Sequence, residues 1–220
     1  MRLIILIFST RLATMSHRIS KEYIASLLPS NPIVVEAGAH KGRDTLAMSK
    51  LWPRGSIHAF EPLPDIFTLL QEQVGSRPNV TCYEFALSDI IGLVPLYKAT
   101  ECTPASSLLE PQECLDIHES FEIITVPTIT LDEWARRYDI PHVDFLWLDL
   151  QGPELQVLQA APKILKKVQV IHTEVNLTER YKANPLYPEV RSWLYDQGFI
   201  VHQEAINSQG WGDVLFVREF

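Results

Sequence analysis

Glu36 ends the apolar β-branched run IVV at 33–35 and is followed at once by two glycines four residues apart, in the stretch EAGAHKG. Glycines at such a turn let backbone approach a ligand closely. The helix that follows, marked by Leu46, Ala47 and Leu51 at helical spacing, offers unpaired N–H groups at its entrance to anything negatively charged. A fixed carboxylate beside that loop suits a cationic ligand. The spacing G-x-x-x-G is not the G-x-G-x-x-G of dinucleotide sites, which weighs against a nicotinamide or flavin. The plainer alternative is a βα turn whose glycines only make the corner. Three further carboxylates close apolar runs: Glu61 after 56–60, Asp149 after 143–148 and Glu174 near the end of 168–175.

These groups share a site only if the elements beneath them are parallel strands. The pattern predicts a helix from Ser20 with Tyr23, Ile24, Leu27 and Leu28 on its apolar side, closed by Pro29. It continues with strand 33–37, the loop and its helix, strand 56–60, and an amphipathic helix over 63–74 with Ile66, Phe67, Leu69, Leu70 and Val74 inward. Right-handed crossover lays the first two strands side by side, with Glu36 and Glu61 on one edge. Further strands are expected at 80–85, 93–97 and 121–129, with an irregular binding loop or lid at 99–120 that shapes an acceptor site. Thr130 and Glu133 form a capping box for a helix whose inner face is Leu131, Trp134, Ala135 and Tyr138. The nearly all-apolar VDFLWL at 143–148 reads as a central strand covered on both faces. Gly152 and Pro153 turn the chain into a helix carrying Leu155, Leu158 and Ala161. Strand 168–175, a helix with Leu186, Val190, Trp193 and Leu194 on one side, and strands 199–203 and 214–218 complete the chain.

The chain has 220 residues, 46% hydrophobic and 21% charged, enough for one sizeable core and too few for two. A formal charge of −8 and the lack of any Lys/Arg run longer than two make nucleic acid an unexpected partner. Cys82, Cys102 and Cys114 are odd in number and lack C-x-x-C spacing, which fits a reducing, cytoplasmic setting and no zinc site. The run LIILIF at 3–8 is shorter than the about 7 to 15 residues of a signal core or the about 20 of a membrane span. Residues 1–19 are therefore read as an extension, either upstream of a start at Met15, an accessory element or a signal, and 20–220 as a single domain without a membrane anchor.

Read in order, EAGAHKGRDT, HAFEP, ALSD, ITLDEW and VDFLWLDLQGPELQVL resemble the FkbM family of S-adenosylmethionine-dependent methyltransferases, from Ile33 to Phe220. Two departures stand out: the family usually opens with Asp where this chain has Glu36, and commonly has D-x-E-G-x-E where 149–154 reads DLQGPE, with Gln151 in place of a carboxylate. The resemblance implies an α/β, Rossmann-like class I methyltransferase fold. Such a fold has a seven-stranded, mostly parallel sheet with helices on both faces and an antiparallel last strand. It implies S-adenosylmethionine as cofactor and methylation of a hydroxyl on a sugar, polyketide or other small or glycan acceptor. By the same resemblance, Glu36, Gly38, Ala39, His40 and Gly42 approach the amino acid part of the cofactor. Glu61, with Pro62 behind it, accepts the ribose hydroxyls, Ser88 and Asp89 approach the adenine, and Asp149 lies at the reacting end. Glu61 also falls 23 residues beyond Gly38, matching by analogy the acidic residue about 20 residues on in ribose-binding dinucleotide folds.

Methyl transfer to oxygen depends first on near-attack geometry, with a general base adding about 10²–10⁴-fold. Asp149 and Glu174 are the expected bases, ahead of His172 and His40. Oxygen ligation of a metal by Asp149, Glu154 and Glu174 is the alternative, and no metal is expected. Two rival classes stay open. One is a nucleotide-dependent oxidoreductase on the same sheet, which nicotinamide binding would reveal. The other is a non-catalytic small-molecule binding module, favoured by Gln151 and revealed by cofactor binding without turnover.

Overall fold

The computed structural model describes residues 19–112 and 120–219. The elements, in order, are α1 (Lys21–Ala25), β1 (Ile33–Ala37), α2 (Arg43–Leu51), β2 (Ser56–Phe60), α3 (Pro64–Val74), β3 (Val80–Tyr83), β4 (Ala86–Leu87) and β5 (Gly92–Ala99). After a short 3-10 turn at Thr103–Ala105 come β6 (Phe121–Ile129), α4 (Leu131–Arg137), β7 (Phe145–Leu148), α5 (Glu154–Gln159), α6 (Pro162–Leu165), β8 (Val170–Asn176), α7 (Tyr187–Asp196), β9 (Phe199–Ile206) and β10 (Trp211–Arg218).

Seven strands form one sheet in the order β3-β2-β1-β7-β8-β10-β9. The pairs from β3 to β8 are parallel, and β10 runs antiparallel to both of its neighbours. This is the Rossmann-like sheet expected of a class I methyltransferase, with the antiparallel strand in place. Period-two alternation divides the core. Val34, Ile57, Phe145, Val170 and Leu215 pack against Ile24, Met48 and Trp52 on one face. Val35, Phe60, Leu146, Leu148 and Ile171 pack against Trp134, Leu158, Ile164 and Leu194 on the other. Every residue of β7 and β8 is buried, as strands covered on both faces must be. Ile19, on the extension side of the expected boundary, is also buried in the first of these clusters.

The remaining three strands form a separate sheet, β4-β6-β5, which the sequence pattern left unassigned. Its inner face, through Ala86, Leu96 and Val126, packs on Leu63 and Ile66 around α3. An ion pair between Lys98 and Asp65 (2.8 Å) ties β5 to the same helix. Three local expectations need correction. Leu69 is exposed rather than inward, because Ile66, Leu70 and Val74 already complete the buried side of α3. Tyr138 is 42% exposed and touches the core only by an edge contact of its ring with Tyr83. The capping box is half made: Thr130 Oγ1 accepts from the Glu133 N–H (3.2 Å), while the Glu133 carboxylate turns outward to Arg136 (2.8 Å). The expectations for residues 1–18, and for the part of the loop at 113–119, lie outside the described residues.

Candidate active site

Strand register brings the four carboxylates to one edge. Ala37 pairs with Phe60 on one side and Leu148 on the other, and Leu148 pairs with Thr173. The next residues, Gly38, Glu61 and Asp149, therefore leave the sheet together, level with Glu174, which stays within β8 paired with Asp213, at the C-terminal edge where open α/β sheets hold ligands. The two glycines do different work there. Gly38 has φ +83°, and a Cβ at this position would lie 1.9 Å from the Asp149 carbonyl oxygen, so it lets two chain segments meet. Gly42, at φ +78°, faces α3, where a Cβ would lie 2.7 Å from Leu70 Cδ1. The left-handed backbone at the start of α2 calls for glycine here, and Gly42 is not among the residues lining the cavity described next.

A cavity of about 330 Å³ opens above this edge. Glu36, Gly38, Ala39, His40, Glu61, Pro62 and Asp149 are on its wall. The Glu61 carboxylate is held rigidly: Oε2 accepts from the His40 N–H and Oε1 from the Leu63 N–H, each at 2.9 Å. Burial nonetheless pushes it up to about 7. Glu36 is 1% exposed, and its Oε2 has no hydrogen-bond partner among the described residues. Burial first, then the charges of Asp44 and Asp149, push Glu36 up to about 8, opposed by the nearby Thr45 hydroxyl, which makes no well-formed hydrogen bond to Oε2, and by Lys21.

The far wall is apolar, built by Phe60, Leu63, Phe85, Leu87 and Leu96. Ser88 and Asp89 are not on it. The Ser88 N–H donates to the Ile129 carbonyl (3.1 Å), and its Oγ stays within its own turn, donating to Asp89 and accepting from the Ile90 N–H (both 3.2 Å). A strap at 103–108, from the segment expected to be a lid, covers the cavity, and His40 Nε2 lies 2.8 Å from Thr103 Oγ1. Leu96 and Trp147 are wall residues that sequence reasoning missed, whereas the strap belongs to the segment 99–120 expected to form a binding loop. Trp147 occurs in an apolar run that looks purely structural, and Leu96 reaches the cavity only through the second sheet.

At the reacting end, burial raises Glu174 well above its ordinary value; Asp149, open to the cavity at its surface but enclosed by the surrounding protein, is raised by that enclosure and by the charge of Asp44. Glu174 is buried behind the wall rather than on it, within direct hydrogen-bonding reach of Asp149, and Gln151 Nε2 donates to both, at 2.7 Å from Asp149 Oδ1 and 3.1 Å from Glu174 Oε2. Glu154 folds back to accept from the Leu150 N–H (2.8 Å) and the Gly152 N–H (3.1 Å), which ties down the turn before α5. Among the described residues no group of three or more His, Cys, Asp or Glu side chains is arranged to hold a metal. His172 lies flat on Trp147 with ring centroids 3.8 Å apart, and burial lowers it to about 3. It is a core imidazole with no proton to exchange near neutral pH. Lys21 sits 4.3 Å from the same indole and pairs with Asp44 (2.8 Å), closing α1 onto the start of α2.

S-adenosylmethionine carries a cation, a ribose diol and a flat base, and this wall has a counterpart for each. The unpartnered Glu36 oxygen is an acceptor without a donor, the condition that a bound cation relieves. Each Glu61 oxygen has accepted one N–H and keeps a lone pair for a hydroxyl. The apolar far wall suits the base. The residues present fit that cofactor.

Comparison with known proteins agrees with this geometry. The model of the methyltransferase FkbM domain matches residues 36–201. The chain is similar to the 2-O-methyltransferase NoeI of Sinorhizobium fredii, 25% identical over 182 residues that cover 79% of this chain and 75% of that protein. It is also similar to the hexuronic acid methyltransferase AglP of Haloferax volcanii, 22% identical over 156 residues, 67% of this chain and 62% of that protein. The crystal structure of methyltransferase FkbM from Methylobacillus flagellatus superposes with a TM-score of 0.56 at 12% identity, over 87% of this chain and 45% of that one, a likeness of fold. The family match spans most of the chain and includes the loop and strand ends that build the cavity, so this chain belongs to the FkbM family of methyltransferases, which take their methyl group from S-adenosylmethionine.

Proposed function

We propose that this chain transfers a methyl group to a hydroxyl oxygen of a sugar or comparably small polar acceptor, within the domain formed by residues 20–220. The observation that carries the proposal is the arrangement along one cavity wall: the Glu61 cradle at one end, and at the other Asp149 backed by Glu174. The two named relatives, a 2-O-methyltransferase and a hexuronic acid methyltransferase, support oxygen as the target and a sugar as the acceptor class.

Bound S-adenosylmethionine would supply an electrophilic methyl group on sulfur, and transfer to the acceptor oxygen would leave that sulfur as a neutral thioether. Glu61 fixes the ribose end, and Glu36 pairs with positive charge at the other. Asp149, on the wall with one oxygen held by Gln151, is the base in this reading, and a proton affinity raised above the ordinary aspartate value supports it as the group that takes the acceptor proton. Glu174, off the cavity wall and in direct reach of both Asp149 and the Gln151 amide, supports Asp149 rather than meeting the acceptor. The strap at 103–108 excludes water from this end.

Among the described residues no helix is long and apolar enough to cross a membrane. Cys82 is a free thiol, which supports a reducing, cytoplasmic setting. The formal charge of −8 supports a small acceptor over nucleic acid. Incubation with methyl-labelled S-adenosylmethionine and a panel of monosaccharides, uronic acids and polyketide alcohols, read by mass spectrometry, tests the proposal. A product with the label on oxygen is expected. Label on nitrogen, or donor binding without transfer to any acceptor, would overturn it.

A further inference from the structure

Gln151 is a residue whose side chain and backbone are both committed. It has φ +61°, a left-handed conformation that a residue with a Cβ adopts only where its surroundings demand it. Its Nε2 donates to Asp149 Oδ1 at 2.7 Å and Glu174 Oε2 at 3.1 Å, so each amide hydrogen meets a different carboxylate. Its Oε1 accepts from the Tyr181 hydroxyl at 3.1 Å, and its backbone carbonyl accepts from Ser107 Oγ at 2.8 Å. Tyr181 also reaches the strap: its single hydroxyl hydrogen is shared between Gln151 Oε1 and the Ala105 carbonyl, 2.9 Å away.

We propose that Gln151 is a positioning residue for the transfer, its amide holding Asp149 and Glu174 in fixed orientation while Tyr181 and Ser107 hold Gln151 from the strap side. The inference rests on the proposed function for its mechanistic meaning. Orientation is what distinguishes an amide here: with the oxygen taken by Tyr181, both hydrogens must point at the carboxylates. A carboxylate at 151 would keep the contact to Tyr181 and bring a third negative charge to the pair.

The surrounding charges make that bridge matter. Asp149 is faced by Gln151, Asp44, Glu174, Glu36 and Glu154. Glu174 is faced by Asp149, Glu154 and Asp213, with Arg180 as the opposing cation. Without the amide hydrogens, one of the two carboxyls keeps a proton to higher pH, and a protonated Asp149 cannot accept another.

The test compares the parent with Gln151→Ala, Gln151→Glu and Tyr181→Phe. Carboxyl titrations of Asp149 and Glu174 are followed by carbon-13 NMR, and single-turnover rates are measured against pH. In Gln151→Ala one carboxyl titration and the acid limb of the rate profile should move up by about one pH unit, as expected for loss of a hydrogen bond to a charged group. Transfer at neutral pH should fall by at least about 10-fold, with donor affinity unchanged within error. Gln151→Glu, which keeps the contact to Tyr181 but adds a negative charge to the pair, should not restore the rate and should melt below the parent. Tyr181→Phe should slow transfer in the parent but not in Gln151→Ala, because it acts through the amide. Unmoved titrations, or a loss confined to melting temperature, would overturn the proposal. The NMR titration needs no acceptor, so a parent that transfers no methyl group overturns the hydroxyl-transfer reading and leaves this one to be decided by the titration.

Discussion

Gly38 and Asp149 meet backbone to backbone, so close that a Cβ at position 38 would lie 1.9 Å from the Asp149 carbonyl oxygen. The contact joins the ends of two neighbouring strands just where the cavity begins. Gly38→Ala should therefore cost about 4 kcal/mol or more, in the rare tail of single substitutions. Gly210→Ala is the control: its φ of +81° is nearly the same, but its nearest atom would be Leu177 Cβ at 3.5 Å. Its cost should be only that of a left-handed alanine, about 1–2 kcal/mol. Urea unfolding of both variants separates close approach from backbone conformation, and equal losses would show that the contact is not what requires glycine.

Stability should fall with rising pH in the ligand-free protein. Burial raises Glu36 to about 8 and Glu61 and Glu154 to about 7, from 4.5. The folded protein then holds protons that the unfolded chain has released, which disfavours folding progressively from pH 4.5 toward 8. His58 and His172 act oppositely, lowered by burial to about 4 and about 3, but only below their ordinary value of 6.5. Between pH 6.5 and 8 the carboxyls dominate. Melting temperature should drop by several degrees across that window, and Glu36→Gln should flatten the drop; a flat profile in the parent would contradict the burial argument.

Asp149 should matter more for turnover than for folding. The turn into α5 is tied down by the Glu154 carboxylate, not by Asp149. Asp149→Asn should thus melt close to the parent while transferring methyl at least about 10²-fold more slowly in a single turnover. Glu174→Gln, one bond further from the cavity, should show a smaller loss. A near-normal rate for Asp149→Asn would leave positioning alone as the source of catalysis.

The carboxylates at the sheet edge were legible because each ends an apolar run, and parallel register aligns such ends whatever the detailed packing. Glu36, Glu61 and Asp149 reach the cavity wall for that reason. Local patterns could not say which residue a side chain meets across the fold. Gly42 faces Leu70 of α3, and Ser88 bonds within its own turn. Leu96 and the strap at 103–108 reach the cavity through the β4-β6-β5 sheet, whose long-range pairing leaves no short-range periodicity to read. The same holds for Gln151, a polar loop residue by sequence and the centre of four hydrogen bonds in the structure.

Calorimetric titration of S-adenosylmethionine into the parent and into Glu61→Ala tests the central claim most directly. The account places the donor across the cavity, with its ribose on a carboxylate already fixed by the His40 and Leu63 N–H groups. The parent should bind one equivalent, and Glu61→Ala should lose about 1.5–3 kcal/mol of binding free energy, the range for hydrogen bonds to a charged acceptor. Equal affinity in the two proteins, or no detectable heat with the parent, would contradict it.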